Sequence, residues 1–152
     1  VSYETTVGTS SFKADVAFEN RDNNSRAYRG GLHVGFGGVT VGGSIFSRID
    51  SQEERKSTTG SVKANAYDLG ATYAMGAYTF GLTKAFGEQS NGGDGGVNDE
   101  QSKWAAGVSY ALDTGVTLAA TYTKAKYTDG AAGTASDNNS GHALVGSISV
   151  SF

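Results

Sequence analysis

The segment Gly141 to Phe152, with the sequence GHALVGSISVSF, determines the fold class. In an extended chain every second residue lies on the same side, because strand side chains alternate with period two. One side of this segment carries Leu144, Ile148, Val150 and the terminal aromatic residue, whereas the other carries alanine, valine and serine. The segment therefore predicts a β-strand with one aliphatic and aromatic face and one mainly small, hydroxylic face.

The same alternation recurs along the whole chain and predicts nine strands, of which the first is partial. Short turns near residues 8, 37, 76 and 114 separate some of these strands. Longer polar stretches separate the others, and they are predicted as loops at Asn20–Ser25, Asp50–Val62, Glu88–Gln101 and Tyr127–Ser140. Short turns on one rim and long loops on the other are typical of an all-β, antiparallel up-and-down barrel in an outer membrane.

The aromatic residues lie near the strand ends and leave an aliphatic middle. Two such rows indicate the interfacial aromatic girdles of a membrane barrel. The predicted girdle residues are Phe12, Phe36, Tyr73, Tyr78, Tyr110 and Phe152 next to the short turns or the C-terminus, and Phe18, Tyr28, Tyr67, Phe86, Trp104 and Tyr122 toward the long loops.

Composition excludes several classes of function. The 152 residues include 23 glycines, no cysteine and no proline, and the net charge is −3. Without cysteine, neither a disulfide scaffold nor a cysteine-based zinc or redox site is possible. The negative net charge provides no basic footprint, so no nucleic-acid partner is predicted. No apolar run reaches the roughly 18 residues of a membrane helix, whereas alternating barrel strands escape hydropathy analysis.

Residues for catalysis are not arranged in any recognisable constellation, so the chain is not predicted to be an enzyme. The sequence lacks a G-x-S-x-G elbow, and no acidic residue is placed to orient His33 or His142 in a triad. The segment Asn91–Glu100, NGGDGGVNDE, contains carboxylates that suit Ca²⁺. It occurs once, which favours a flexible loop. No cofactor is therefore predicted, and loop-bound Ca²⁺ is the open alternative.

A soluble lipocalin-like barrel or sandwich is a second interpretation of the alternation. Its apolar face would point inward, and its outer face would carry the glycine, serine, threonine and alanine residues. Soluble antiparallel surfaces usually carry lysine, glutamate and arginine there. In this chain the charges concentrate in loops and turns, which favours the membrane barrel.

Two segments resemble a known family. The terminal aromatic with apolar residues at alternate positions resembles the C-terminal signature of bacterial outer-membrane barrels, and Ala66–Tyr73 (AYDLGATY) with Tyr73–Leu82 (YAMGAYTFGL) looks like α-proteobacterial general porins. The resemblance implies an outer-membrane channel for passive diffusion of small hydrophilic solutes and ions. It also implies a homotrimer in contact with outer-membrane lipid and lipopolysaccharide. The barrel assembly machinery would read Leu144, Ile148, Val150 and Phe152.

The odd strand number leaves two architectures open, because both termini of the family's mature chains lie on one rim. Residues 1–152 are predicted to form a single domain that is the C-terminal part of a larger barrel, with 16 strands in the family's general porins. The alternative is a closed eight-stranded barrel from Ser11 onward with a structural or surface-interaction role. An eight-stranded interior is just wide enough for side chains to fill. Inward residues as small as Gly70, Gly81 and Gly107 favour a wide, water-filled barrel.

The period-two alternation also predicts which charged side chains face the lumen, because they share the side of the small residues. They are Glu4, Lys13, Asp15, Glu19, Arg29, Arg48, Asp68 and Lys103. The resemblance implies that an inward-folded loop narrows the pore and faces basic residues of the wall. The four cationic residues of this set are candidates for that basic wall, because they have the required charge. Phe46 is a large residue with inward parity, and it predicts either a bulge or a pore-facing aromatic.

Overall fold

Nine antiparallel strands form one sheet in which each strand lies beside its neighbours in chain order. The structure is a computed structural model and describes residues 1–20, 25–50, 62–90, 98–112, 115–130 and 138–151. No helix in these ranges is long and apolar enough to cross a membrane. The predicted all-β, up-and-down architecture is confirmed. Its strands are β1 (Ser2–Val7), β2 (Ser10–Asn20), β3 (Arg26–Phe36), β4 (Val39–Asp50), β5 (Val62–Met75), β6 (Tyr78–Ser90), β7 (Asn98–Leu112), β8 (Val116–Thr128) and β9 (Asn139–Val150).

A glycine with positive φ lies in each short connection between paired strands. Gly8, Gly37, Gly76 and Gly115 have φ of 61°, 58°, 58° and 76°. Glycine adopts this left-handed conformation without the steric cost of a Cβ atom, and tight hairpin turns of the primed types require it. The turn glycines therefore explain why the chain reverses at the positions predicted from the sequence. Most residues of the long connections lie outside the described ranges.

The strands extend further into two of the predicted loops than the sequence indicates. β6 continues to Ser90, and β7 begins at Asn98. Similarly, β8 continues through Tyr127 to Thr128. The ladder between β6 and β7 includes the polar pairs Glu88 with Glu100 and Gln89 with Asp99. Backbone hydrogen bonds do not require apolar side chains. The ladder therefore continues beyond the last apolar residue, where the sequence predicted the strand to end.

The edges of the sheet are β1 and β9. In the described part of the chain, β1 pairs with β2 alone and β9 pairs with β8 alone. A closed eight-stranded barrel from Ser11 onward would require a ladder between β2 and β9. β2 pairs instead with β1 and β3. The pairing therefore does not favour the closed eight-stranded alternative.

The two faces of the sheet differ in residue size and exposure. We call them the apolar face, which carries Leu69 and Leu82, and the small-residue face, which carries Gly70 and Gly81. The described ranges contain no buried large apolar side chain, and Leu144 and Ile148 are 75% and 72% exposed. A soluble barrel would bury these side chains in its interior as a core. The exposure of the apolar face is that expected of a surface in contact with lipid.

Along β5 the small-residue face is the more shielded of the two. Along β5, Ala64, Ala66 and Asp68 are partly buried, whereas Tyr67 and Leu69 are exposed. A curved sheet shields the side chains on its concave side more than those on its convex side. The shielding along β5 is that expected of the inner, concave side of a barrel wall.

Candidate functional site

The seven predicted pore-lining charges all lie on the small-residue face. Side chains of directly opposed residues share a face of the sheet, and period-two alternation extends that assignment along each strand. One row of opposed residues runs from Asp15 through Gly31 and Ser44 to Asp68. It continues through β6 to Lys103. The face-sharing charges are Lys13, Asp15, Glu19, Arg29, Arg48, Asp68 and Lys103.

These charges are distributed over the face and are balanced in sign. Glu4 opposes Lys13 on the same face, and the Glu4 Oε2 to Lys13 Nζ distance is 3.8 Å. Both side chains are more than half exposed, so this ion pair contributes little to stability. With Glu4 included, the set contains four cationic and four anionic groups, a formal sum of zero. The Ser44 hydroxyl donates a hydrogen bond to the Asp68 carboxylate.

His33 lies over a glycine on the small-residue face. It opposes Gly42, and a Cβ atom at Gly42 would overlap the imidazole ring. The absence of a side chain at Gly42 therefore allows the ring to lie close to the sheet. The small residues of this face are thus needed for local packing as well as for an open surface.

Phe46 lies on the small-residue face without a bulge. It opposes Arg29 on one side and Ala66 on the other, within unbroken ladders. The bulge that the sequence left open is therefore not observed, and Phe46 shares the face of the predicted lumen charges. Tyr127 shares this face, because it opposes Gln101 in the ladder between β7 and β8. The sequence predicts a loop at Tyr127, since no apolar row continues beyond Tyr122.

The eleven described aromatics of the predicted girdles lie on the apolar face, and Phe152 lies outside the described residues. Several pack against one another across strands. Ring centroids are 5.2 Å apart for Phe18 and Tyr28 and 5.5 Å apart for Tyr67 and Phe86. The corresponding distances are 4.7 Å for the pair Tyr78–Tyr110 and 5.3 Å for the pair Trp104–Tyr122. Such contacts suit aromatic pairs, which favour centroid separations of about 4.5–7 Å.

Directly opposed residues of successive strands form rows across the sheet. From β2 to β8, the loop-side aromatics lie in rows that are progressively closer to the short turns. Tyr28 opposes Phe18 of β2, whereas Tyr122 of β8 lies in the row that includes Phe12. The shift is six residues, from position 18 to position 12, over the six strand spacings from β2 to β8. The turn-side aromatics shift in the same direction, from the row of Phe12 in β2 to that of Tyr110 in β7.

A shift of one residue per strand indicates tilted strands. With a rise of about 3.3 Å per residue and a strand spacing of about 4.8 Å, a level belt would require a tilt of about 35°. Strands of outer-membrane barrels tilt by about 35–45°. The two aromatic rows are therefore arranged as level belts around tilted strands.

A cluster of basic side chains lies on the apolar face at its loop-side end. We call Lys84, Lys124, Lys126 and His142 the basic cluster. One row of opposed residues contains Lys84, Trp104, Lys124 and His142. All four members are exposed, and the Lys84 Nζ lies 5.1 Å from the centroid of Phe86. Lys124 and Lys126 are two and four residues from Tyr122, so in a continuous strand they share its face. The sequence alone did not indicate that β8 continues as far as Thr128.

Metal ligands are not clustered in the described ranges, where no group of three or more histidine, aspartate or glutamate residues could hold an ion. Residues 91–97, which make up most of the segment with the calcium alternative, lie outside the described ranges. The structure therefore provides no geometry for that alternative.

A family model described as Gram-negative porin matches residues 1–130, which include β1 to β8. The chain belongs to the Gram-negative porin family. This match confirms the predicted resemblance to Gram-negative outer-membrane porins and the predicted location in the bacterial outer membrane. Family membership favours a channel over an enzyme for this porin. No curated protein matches the sequence.

Proposed function

We propose that the small-residue face of this porin lines a water-filled channel for passive diffusion of small hydrophilic solutes and ions. The observation that carries the proposal is the separation of the two faces. The small-residue face combines glycine, alanine and serine with dispersed charges, whereas the apolar face combines exposed aliphatic residues with two aromatic belts. Outer-membrane channels present an apolar band to lipid and a polar surface to water.

Solute size and ion preference would be set by different features of this wall. Small side chains leave the lumen wide, and the width limits the size of the solutes that pass. Fixed charges act on passing ions across low-dielectric walls, which strengthens their effect. The eight charges of this set sum to zero, and Asp99 adds one negative charge on the same face, so the described wall carries no strong excess of either sign. Local cations such as Arg29 and Arg48 would then control selectivity near the loop-side end.

The test is the ion selectivity of the native full-length protein in planar bilayers. We expect open channels, and we expect Arg29→Glu with Arg48→Glu to shift the reversal potential toward cation preference. The double variant removes two positive charges and adds two negative ones. A double variant with Lys124→Glu and Lys126→Glu is the matched control, since it makes the same charge change on the apolar face. A folded native protein that never opens a channel would contradict the proposal and favour a closed barrel.

The partners that we propose follow from the apolar face and from β9. The aromatic belts would contact the outer-membrane lipid, and the basic cluster would contact lipopolysaccharide. Leu144, Ile148, Val150 and Phe152 would form the segment that the barrel assembly machinery reads, so deletion of Phe152 should lower the amount of folded porin in the outer membrane. A homotrimer is the proposed assembly, and native mass spectrometry of the purified porin would detect it.

A further inference from the structure

A groove of about 910 Å³ lies on the apolar face of β2 to β5, at the level of the loop-side aromatic belt. Its floor is Gly30, because a Cβ atom there would meet the Cγ1 atoms of Val16 and Ile45 at 3.8 and 3.9 Å, one on each side. A second hollow of about 490 Å³ continues the groove over Gly43, toward the middle of the strands. The two hollows share Val16, Gly30, Ile45 and Tyr67. The groove therefore extends from the aromatic belt into the aliphatic region of the apolar face.

Hydrogen-bonding groups lie at the loop-side end of this groove. Ser47 and Asn65 are opposed residues, and both line the groove. The Ser47 hydroxyl donates a hydrogen bond to the Asn65 amide oxygen at 2.8 Å, and the Asn65 amide donates one to a Glu88 carboxylate oxygen at 3.0 Å. An amide has two N–H groups and a hydroxyl oxygen has two lone pairs, so Asn65 can donate and Ser47 can accept further hydrogen bonds. These groups suit the ester, amide and hydroxyl groups at the head of an acyl chain.

Two cationic side chains lie on the apolar face beyond these polar groups, toward the long loops. Arg26 opposes Ile49, and Ile49 opposes Lys63, so the three residues share one row. Arg26 and Lys63 are both exposed. Two strand spacings of about 4.8 Å separate their backbones, a distance that the long side chains can bridge to hold one phosphate group. With the Glu88 carboxylate on the same face, the three charges sum to +1, which favours an anionic ligand.

We infer that this surface of β2 to β5 binds one lipopolysaccharide molecule. The order along the strands is cations, then hydrogen-bonding groups, then an apolar groove. It matches the order of phosphate, acyl linkage and acyl chain in such a lipid. Outer-membrane barrels place their long loops outside the cell, so the site lies at the level of the outer leaflet. Basic side chains at the depth of the headgroups attract anionic lipids.

This lipid site is separate from the basic cluster, whose members lie on β6, β8 and β9. The inference rests on the proposed contact of the apolar face with lipopolysaccharide and adds a second place for it. It does not depend on conduction through the lumen. The glycine floor distinguishes the site from the rest of the apolar face, because a straight acyl chain can approach the backbone most closely where side chains are absent.

The test is titration of the native full-length porin, stripped of lipid in detergent, with purified lipopolysaccharide, followed by native mass spectrometry. Every variant carries Lys124→Gln and Lys126→Gln, which weaken the basic cluster and leave the proposed site as the stronger one. Addition of Arg26→Gln and Lys63→Gln should weaken binding by roughly twentyfold, since each cation near an anionic headgroup contributes roughly fivefold. Addition of Arg29→Gln and Lys103→Gln is the matched control. It removes the same two charges from the small-residue face and should leave lipopolysaccharide binding unchanged.

Gly30→Leu tests the groove directly, because the new side chain would occupy the position of the acyl chain. The nearest atom to a Cβ at Gly30 would be 3.7 Å away, an ordinary van der Waals distance, so the variant should fold. We expect it to bind lipopolysaccharide at least about tenfold more weakly. Gly146→Leu is the matched control, because Gly146 lies on the apolar face of β9 and its Cβ would be 4.0 Å from the nearest atom. Gly146→Leu should retain binding, and circular dichroism verifies the β-sheet content of both variants.

Phosphatidylglycerol distinguishes lipopolysaccharide from an ordinary anionic phospholipid. We expect it to bind at least about tenfold more weakly, because it lacks the amide and hydroxyl groups that suit Ser47 and Asn65. Equal affinity for the two lipids would overturn the inference, as would equal lipopolysaccharide affinity with and without Gly30→Leu. A native protein that opened no channel would overturn the proposed channel, and the lipid titrations would still decide this site. Open channels with no effect of Arg26, Lys63 or Gly30 on lipid binding would reject the site and leave the channel intact.

Discussion

At the scale of single residues, the side of the sheet on which a side chain lies determines its surroundings. Leu82 lies on the apolar face of β6, is 59% exposed, and is four residues from both Tyr78 and Phe86. It therefore lies midway between the two aromatic belts. Thr83, the next residue, lies on the small-residue face. Leu82 is thus expected to contact lipid, and Thr83 is expected to contact water.

We predict that Leu82→Arg destabilises the folded porin in bilayers by about 2–4 kcal/mol, the cost of a cationic side chain near the membrane midplane. Thr83→Arg should cost much less, because its charge reaches water. The free energy of unfolding, measured by urea titration in lipid vesicles, distinguishes the two variants. Similar losses for both would show that the assignment of faces is wrong. Leu69, Val108 and Leu118 also belong to the aliphatic region between the belts and provide further positions for the same comparison.

The alternation within one strand was sufficient to predict which face each of these residues occupies. It was not sufficient to predict which residues of different strands lie side by side. Phe46 and Tyr127 are 81 positions apart in the sequence, and four ladders place them in one row. Register depends on pairing between strands, and a shift of one residue would move every side chain to the other face. The row that contains Phe46 and Tyr127 was therefore not predictable from the sequence, although the parity of Phe46 indicated an unusual position.

At the scale of elements, the loop-side ends of β6, β8 and β9 combine aromatic and basic residues. Trp104 and Tyr122 lie among the members of the basic cluster, and the His142 ring is 6.0 Å from that of Tyr122. Glu88 and Glu100 lie on the same face, closer to the long loops. Aromatic rings favour the membrane interface, and basic side chains beside them attract anionic headgroups. The arrangement fits the phosphate groups of lipopolysaccharide.

We predict that Lys124→Gln and Lys126→Gln each weaken retention of lipopolysaccharide by roughly fivefold, since a lysine near an anionic surface contributes about 1 kcal/mol. Lys103→Gln is the matched control, because it removes the same charge from the small-residue face of β7. Lipopolysaccharide that remains bound to each variant after detergent extraction can be quantified by mass spectrometry. Equal loss in the control would indicate an effect of net charge rather than contact.

At the scale of the whole molecule, the two edge strands require partners. The hydrocarbon region offers no water to satisfy exposed N–H and C=O groups, so membrane sheets close into barrels. β1 and β9 do not pair with each other in the described part of the chain. We propose that residues 1–152 are part of one larger barrel domain, with 16 strands as the resemblance to general porins implies.

We predict that the intact native polypeptide is about twice as long as this chain, which would provide the strands that pair with both edges. Intact-mass measurement of the protein from its natural membrane tests this directly against the 15.6 kDa of the 152 residues. A native polypeptide of 15.6 kDa would contradict the prediction, and separate copies would then have to supply the partners of both edges. Cross-linking between β1 and β9 of different copies would identify that assembly.

The tilt of the aromatic belts also determines how wide such a barrel would be. At a tilt of about 35°, each strand occupies about 5.9 Å of the circumference, since the spacing of about 4.8 Å is measured perpendicular to the strands. Eight strands would close at a backbone diameter of about 15 Å, which side chains fill. Sixteen would close at about 30 Å. Residues as small as those facing inward along β5 and β6 would leave the smaller cylinder full of voids, whereas the larger one would hold a continuous column of water.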